Sequence, residues 1–200
     1  MKIRKGFVTN SSSSSFVSVS IDNPMLASIL QKYQEYFEDD CCIQLNITGE
    51  AIAIEIEEGY ADVPSTLDDV LVSLLNALGV EIYDDDEISA YGGAELENLA
   101  REVLADKENI TAATTCVEFT QSDCGWQGDS DSRYYKENYD EETLQDIMEE
   151  IAAQKGCKPE DVTDEDFNYY VSDKMSTSED TYYYNKETGE ETTSHSFYIE

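Results

Sequence analysis

Phe16 to Ile21 reads Phe-Val-Ser-Val-Ser-Ile, an alternation of apolar and small polar residues that predicts a strand with one buried face. Asp22 or Asn23 can then cap a helix starting on Pro24, where the missing amide proton costs nothing. Leu26, Ile29, Leu30, Tyr33 and Phe37 fall on one face of that helix, and the acidic run Glu38–Asp40 ends it. Cys42 to Thr48 and Ala51 to Glu57 alternate on either side of Gly49-Glu50, which predicts a hairpin whose inner face carries Ile43, Leu45, Ile52, Ile54 and Ile56. Ser65 with Asp68 has the spacing of a capping box ahead of the most apolar helical stripe in the chain, Leu67, Val70, Leu71, Leu74, Leu75 and Leu78, which Gly79 stops. Val80 to Tyr83 is read as a short strand after it. Strand, helix, hairpin, helix, strand is the order of a ferredoxin-like sandwich.

Beyond this unit the pattern continues less regularly. Asp84–Glu87 and Tyr91-Gly92-Gly93 read as a loop, Leu96 to Leu104 as a third helix, and Thr111 to Thr120 as a strand. Residues 121–139, which hold the sole tryptophan, Trp126, read as a long loop. Asp140 caps a helix carrying Leu144, Ile147, Met148 and Ile151, with Gly156 past its end. A second box, Thr163 and Asp166, opens a helix through Phe167, Tyr170 and Val171, and Thr181 to Glu200 reads as a hairpin turning near Thr188-Gly189. The expected fold is α+β, an antiparallel sheet covered by helices, ferredoxin-like in its N-terminal half, with C-terminal helices and a β-hairpin. The expected organisation is a polar tag over 1–15, a core domain over 16–120, a loop over 121–139 and a C-terminal part over 140–200 packed on the core.

Charge changes the picture more than size does. The net charge is −33, with 45 acids against 12 bases. It is spread along the chain, 19 acids against 4 bases in the first hundred residues and 26 against 8 in the second. Such a surface repels nucleic acid and anionic membranes and attracts basic partners. Fourteen tyrosines and six phenylalanines supply a core, and no apolar run has the length of a membrane span. The five cysteines are an odd number without C-x-x-C spacing, as in reduced cytosolic thiols.

The first sixteen residues break the acidic pattern. Lys2, Arg4 and Lys5 precede Gly6-Phe7-Val8, Asn10 and the serines Ser11 to Ser15, closed by Phe16. This segment, Lys2 to Phe16, resembles a recurrent N-terminal stretch of uncharacterised bacteriophage and mobile-element proteins. What the resemblance implies is provenance rather than activity. Five hydroxyls stand where a secretory signal needs an apolar run, so export is not expected. Lys2, Arg4, Gly6, Phe7, Ser11, Ser15 and Phe16 read either as a polar terminus or as a tag that a partner or modifying enzyme recognises.

Catalytic and metal chemistry find no convincing pattern. His195 is the sole histidine and lies among Thr193, Ser194 and Ser196 on an expected strand. Cys116, Cys124, Cys157 and His195 match no zinc spacing. Asp129-Ser130-Asp131 begins like a calcium loop, but Tyr134 replaces the required glycine and Asp140 the closing glutamate. Tyr182–Asn185 with Thr188-Gly189 resembles the middle hairpin of a WW domain, yet no tryptophan follows Trp126 and no proline follows Pro159 to build its groove. No catalytic residue, metal or cofactor is therefore expected.

The charge itself remains. Acidic runs at Asp84, Asp85, Asp86 and Glu87 and at Asp140, Glu141 and Glu142 are the expected partner-binding positions. The leading expectation is a non-enzymatic accessory protein of a phage or mobile element, in the host cytoplasm or the virion. It would bind a basic or nucleic-acid-binding protein as a DNA mimic, without direct contact to nucleic acid or membrane. A virion-associated structural protein is the second reading and a small hydrolase the third.

Overall fold

The structure is a computed structural model describing residues 13–40, 42–57, 59–83, 87–125, 131–172, 174 and 176–199. Its fold is α+β, built on a six-stranded antiparallel sheet with helices. The strands are β1 (Ser13–Asp22), β2 (Ile43–Thr48), β3 (Ala51–Glu57), β4 (Val80–Ile82), β5 (Ile88–Ala90), β6 (Cys116–Gly125), β7 (Ser176–Asn185) and β8 (Glu190–Ile199). The helices are α1 (Pro24–Leu30), α2 (Gln34–Asp39), α3 (Val70–Ala77), α4 (Ala94–Ala105), α5 (Lys107–Ala113), α6 (Glu141–Lys155) and α7 (Asp164–Ser172). The large sheet runs β2-β3-β1-β6-β7-β8, and β4 with β5 forms a separate two-stranded sheet.

Contacts divide the chain into two compact units, each considered alone. The larger comprises Ser15–Ser122 with Glu179–His195, and the smaller, among the described residues, 13–14, Asp123–Ser178 and 196–199. In the larger unit β1 is central, flanked by β3 and β6, which is the order a split β-α-β-β-α-β arrangement takes. The fourth place is filled by β6. Val80–Ile82, expected there, pairs instead with Ile88–Ala90, so the segment read as a loop after it is a hairpin. Three-residue strands bury too little surface to displace a ten-residue one from a sheet. The strand expected over Thr111–Thr120 starts only at Cys116, because Lys107–Ala113 is helical and buries Ile110. Its far end reaches Gly125, inside the stretch read as a loop, and β1 begins at Ser13, ahead of the apolar alternation. Backbone ladders offered by neighbouring strands do not require apolar side chains, which is why the alternation underestimates both.

Register explains the core. Val17, Val19 and Ile21 face the same side as Ile56, Ile54 and Ile52, their partners across β1–β3, and Ile43, Leu45 and Ile47 pair with the same three isoleucines across β2–β3. All but Leu45 and Ile47, which are half-buried and pack against it, join Val117, Phe119 and Tyr182 in one buried cluster with Leu26, Leu30, Leu71, Leu74, Leu75, Leu99 and Val103 from the helices. The helix predicted from Pro24 to the acidic run is broken by a 3-10 turn over Gln31–Tyr33 into α1 and α2. The predicted Ser65–Asp68 box is not the one formed: Ser65 and Thr66 both donate to Asp69, at 3.0 and 2.8 Å, and a 3-10 turn precedes α3.

The smaller unit has its own core of Tyr139, Ile147, Ile151, Val162, Phe167, Val171 and Phe197. Tyr139 meets Phe167 and Phe197 edge to face, with centroids 5.7 and 5.0 Å away. Asp140 caps α6, Gly156 ends it at φ 68, and Thr163 and Asp166 exchange the reciprocal bonds of a capping box ahead of α7, as the sequence predicts. Arg133 is buried here, donating from Nη1 to the Lys174 carbonyl at 2.8 Å and from Nη2 to Ser176 at 3.2 Å. No local pattern around that arginine predicts its burial.

Candidate partner-binding surface

The larger unit exposes one face of its sheet. On β1, residues Phe16, Ser18 and Ser20 alternate with the buried valines and isoleucine, and their partners on β3 are Glu57, Glu55 and Ala53. Glu55 also pairs with Gln44 of β2, Ala53 with Asn46, and Ala51 with Thr48. All these residues except half-buried Ser18 are exposed, including the two alanines, so among the described residues no helix lies over this part of the sheet. Glu118 of β6 is exposed on the same side, alternating with buried Val117 and Phe119. Asp22 stands beside it, since its carboxylate and that of Glu118 both act on the Cys116 thiol, which burial first and then these two charges push up.

The sign of this face follows from where the cations lie. Among the described residues no strand contains a lysine or an arginine. Lys32, Arg101, Lys136, Lys155 and Lys158 are on helices or loops and are each paired with a carboxylate, Glu102, Glu97, Asp164, Asp166 and Glu160 respectively, while Lys186, in the β7–β8 turn beside Thr115, turns its ammonium to the Ala112 carbonyl at 2.9 Å. Asp22, Glu55, Glu57 and Glu118 therefore form an anionic sheet face with fixed backbone spacing. Alternate residues on one strand sit about 6.5 Å apart and neighbouring strands about 4.8 Å. From the Phe16 level to Asp22 the face extends about 20 Å.

Of the positions expected to bind a partner, Asp84, Asp85 and Asp86 lie outside the described residues. Glu87 is exposed at the β4–β5 turn, where its carbonyl accepts from the Tyr83 amide at 2.9 Å. The same hairpin brings Tyr83 and Tyr91, both exposed, to Glu81: each phenol donates to its carboxylate, Tyr91 at 2.7 Å. These two bonds hold the Glu81 carboxyl below its usual range and push both phenols up. Asp140 is committed to capping, accepting from the Thr143 amide at 2.8 Å and hydroxyl at 2.9 Å, bonds that lower its pKa. Glu141 and Glu142 stand exposed in the first turn of α6. The Asp84–Glu87 and Asp140–Glu142 runs belong to different units. Of the tag residues, Lys2, Arg4, Gly6, Phe7 and Ser11 lie outside the described residues, whereas Ser15 and Phe16 are part of β1.

The sequence shows Glu55 and Glu57 as a carboxylate pair and Glu57-Glu58 as a short acidic run, but abundance of acids elsewhere leaves them, and the isolated Glu118, unassigned to a partner-binding surface. The signal that marks them is the register. Chemistry elsewhere is thin. Among the described residues no group of three or more His, Cys, Asp or Glu side chains could hold a metal ion. His195 Nδ1 meets Asp180 at 2.8 Å on the exposed β7–β8 hairpin. No helix among the described residues is long and apolar enough to cross a membrane.

No protein-family model matches the chain, and no curated protein or solved structure matches it significantly.

Proposed function

We propose that this chain is a non-enzymatic accessory protein of a phage or mobile element that binds a basic, nucleic-acid-binding protein through the open sheet face, competing with DNA. One observation carries the reading: Asp22, Glu55, Glu57 and Glu118 project from a sheet whose strands carry no cation among the described residues. Carboxylates fixed on a rigid scaffold can meet lysines and arginines that ordinarily hold phosphates, and the encounter is steered by the long-range field of a −33 chain. Magnitude sharpens the proposal. Over about 20 Å of axis a DNA duplex presents roughly 12 phosphates, and a single strand roughly 6. Four carboxylates imitate a sparse single-stranded path better than a duplex, and the partner that fits is one whose basic track is narrow.

The test is a triple variant, Glu55→Gln, Glu57→Gln and Glu118→Gln, compared with the natural chain in capture of basic proteins from a bacterial lysate. Exposed substitutions of this kind shift stability by at most about 0.5 kcal/mol, so the melting temperature should hold. The proposal expects the captured basic protein to be lost or retained far more weakly. Undiminished capture by the triple variant would remove the face from the account.

A further inference from the structure

Among the described residues the large sheet has two edges, β2 and β8. β2 spans six residues, alternates between buried and exposed positions and has α2 against it. β8 spans ten, and its first six positions, Glu190–His195, are all exposed. An edge strand presents a row of backbone N–H and C=O groups ready to pair with another chain, and natural sheets guard it with lysine, proline, a bulge or a covering segment. Glu190–His195 contains no lysine, proline or glycine.

The segment is also held in place. Asn185 Oδ1 accepts from the Glu187 and Thr188 amides, at 2.9 and 3.2 Å, which fixes the turn into β8. Glu191 accepts from the Tyr182 hydroxyl at 2.8 Å and the Leu67 amide at 3.2 Å, and His195 meets Asp180 at the other end. The edge is a pre-ordered template, so a ligand strand would not have to bear the cost of ordering it.

Charge decides the occupant. Glu190 and Glu191 lie at one end and Thr192, Thr193 and Ser194 follow. A second copy of this chain would bring another net charge of −33 to the edge. The two glutamates guard against self-pairing and select for the opposite sign. We propose that Glu190–His195 accepts an extended basic peptide segment as a seventh, antiparallel strand. The lysine or arginine residues of that segment, at its C-terminal end, would lie beside Glu190 and Glu191, with hydroxyl or β-branched residues beside Thr192–Ser194. Main-chain bonds supply the affinity and the glutamates the choice of partner. This mode uses the rim of the sheet and stands whether or not the open face is a phosphate mimic.

The probe is the peptide acetyl-Thr-Val-Thr-Val-Lys-Arg-amide, titrated into the natural full-length chain with amide exchange read at residues 190–195. Two further peptides of the same charge are N-methylated at either the odd or the even residues. Strand addition predicts that the parent peptide slows exchange within 190–195, that one methylated series binds like the parent, and that the other loses about tenfold or more, since it forfeits every inward bond. Equal binding by both series would reduce the effect to charge and overturn the proposal. So would failure to bind, protection confined to other strands, dimerisation of the chain through β8, or binding only after removal of residues 1–12.

Discussion

Asn23 shows how much one side chain can settle. It is fully buried, its Oδ1 accepts from the Met25 and Leu26 amides at 2.9 Å each, and its Nδ2 donates to the Ile110 carbonyl at 2.6 Å and to Thr114 at 2.8 Å. The first pair caps α1 and the second ties it to α5. Asn23→Ala should cost about 3 kcal/mol, combining a lost cap with buried groups left unpaired. Asn23→Asp keeps the acceptor and loses both donors, so chemical denaturation should find it at least as damaging. An Asp variant as stable as the natural chain would show that only the cap matters. Asp166 gives a pH-dependent counterpart. Its bonds from the Lys155 ammonium and then from Thr163 hold its pKa at about 2, below the ordinary 3.8. A depressed carboxyl stabilises fully above its unfolded value and ceases to do so as pH falls through the folded one. Thermal melts of Asp166→Asn should therefore lie below the natural chain at pH 6 and converge with it near pH 2. The cap residue Asn23 was visible in the sequence, because Asn before Pro is a helix start, but its tie to Ile110 was not. That contact spans 87 positions and depends on where α5 packs.

At the scale of elements, local signals carried the strands and caps whose determinants are adjacent in sequence. The Gly49-Glu50 hairpin, the Asp140 and Thr163 caps and the Gly156 stop each follow from a handful of neighbouring residues. Pairing partners did not follow, since Val80–Ile82 carries the same alternation whether it joins the main sheet or β5. The site suffered from the same limit. Acidic runs stand out in a sequence, yet Asp140 proves to be a cap, while Glu55 and Glu57 become conspicuous only when β3 is placed with its outer side bare. Asp140→Ala should thus lower the melting temperature through loss of the cap, and Asp140→Ser, which can still cap, should restore most of it. If both variants melted alike, the cap would not be the reason for an aspartate at that position.

For the whole molecule the governing quantity is the charge of −33. A charge of that sign repels polyanions and attracts basic surfaces through its long-range field. Screening sets the range of that preference, with a Debye length of about 8 Å at physiological ionic strength and about 3 Å at 1 M salt. Alternate carboxylates on one strand of the open face, about 6.5 Å apart, lie within the first length and beyond the second. The most direct measurement adds single-stranded DNA to the complex of this chain with its captured basic partner, across a salt series. Mimicry predicts affinity that falls steeply with rising salt, and displacement in which DNA and this chain never share the partner. An affinity flat from low to high salt, or a ternary complex of partner, DNA and this chain, would contradict it.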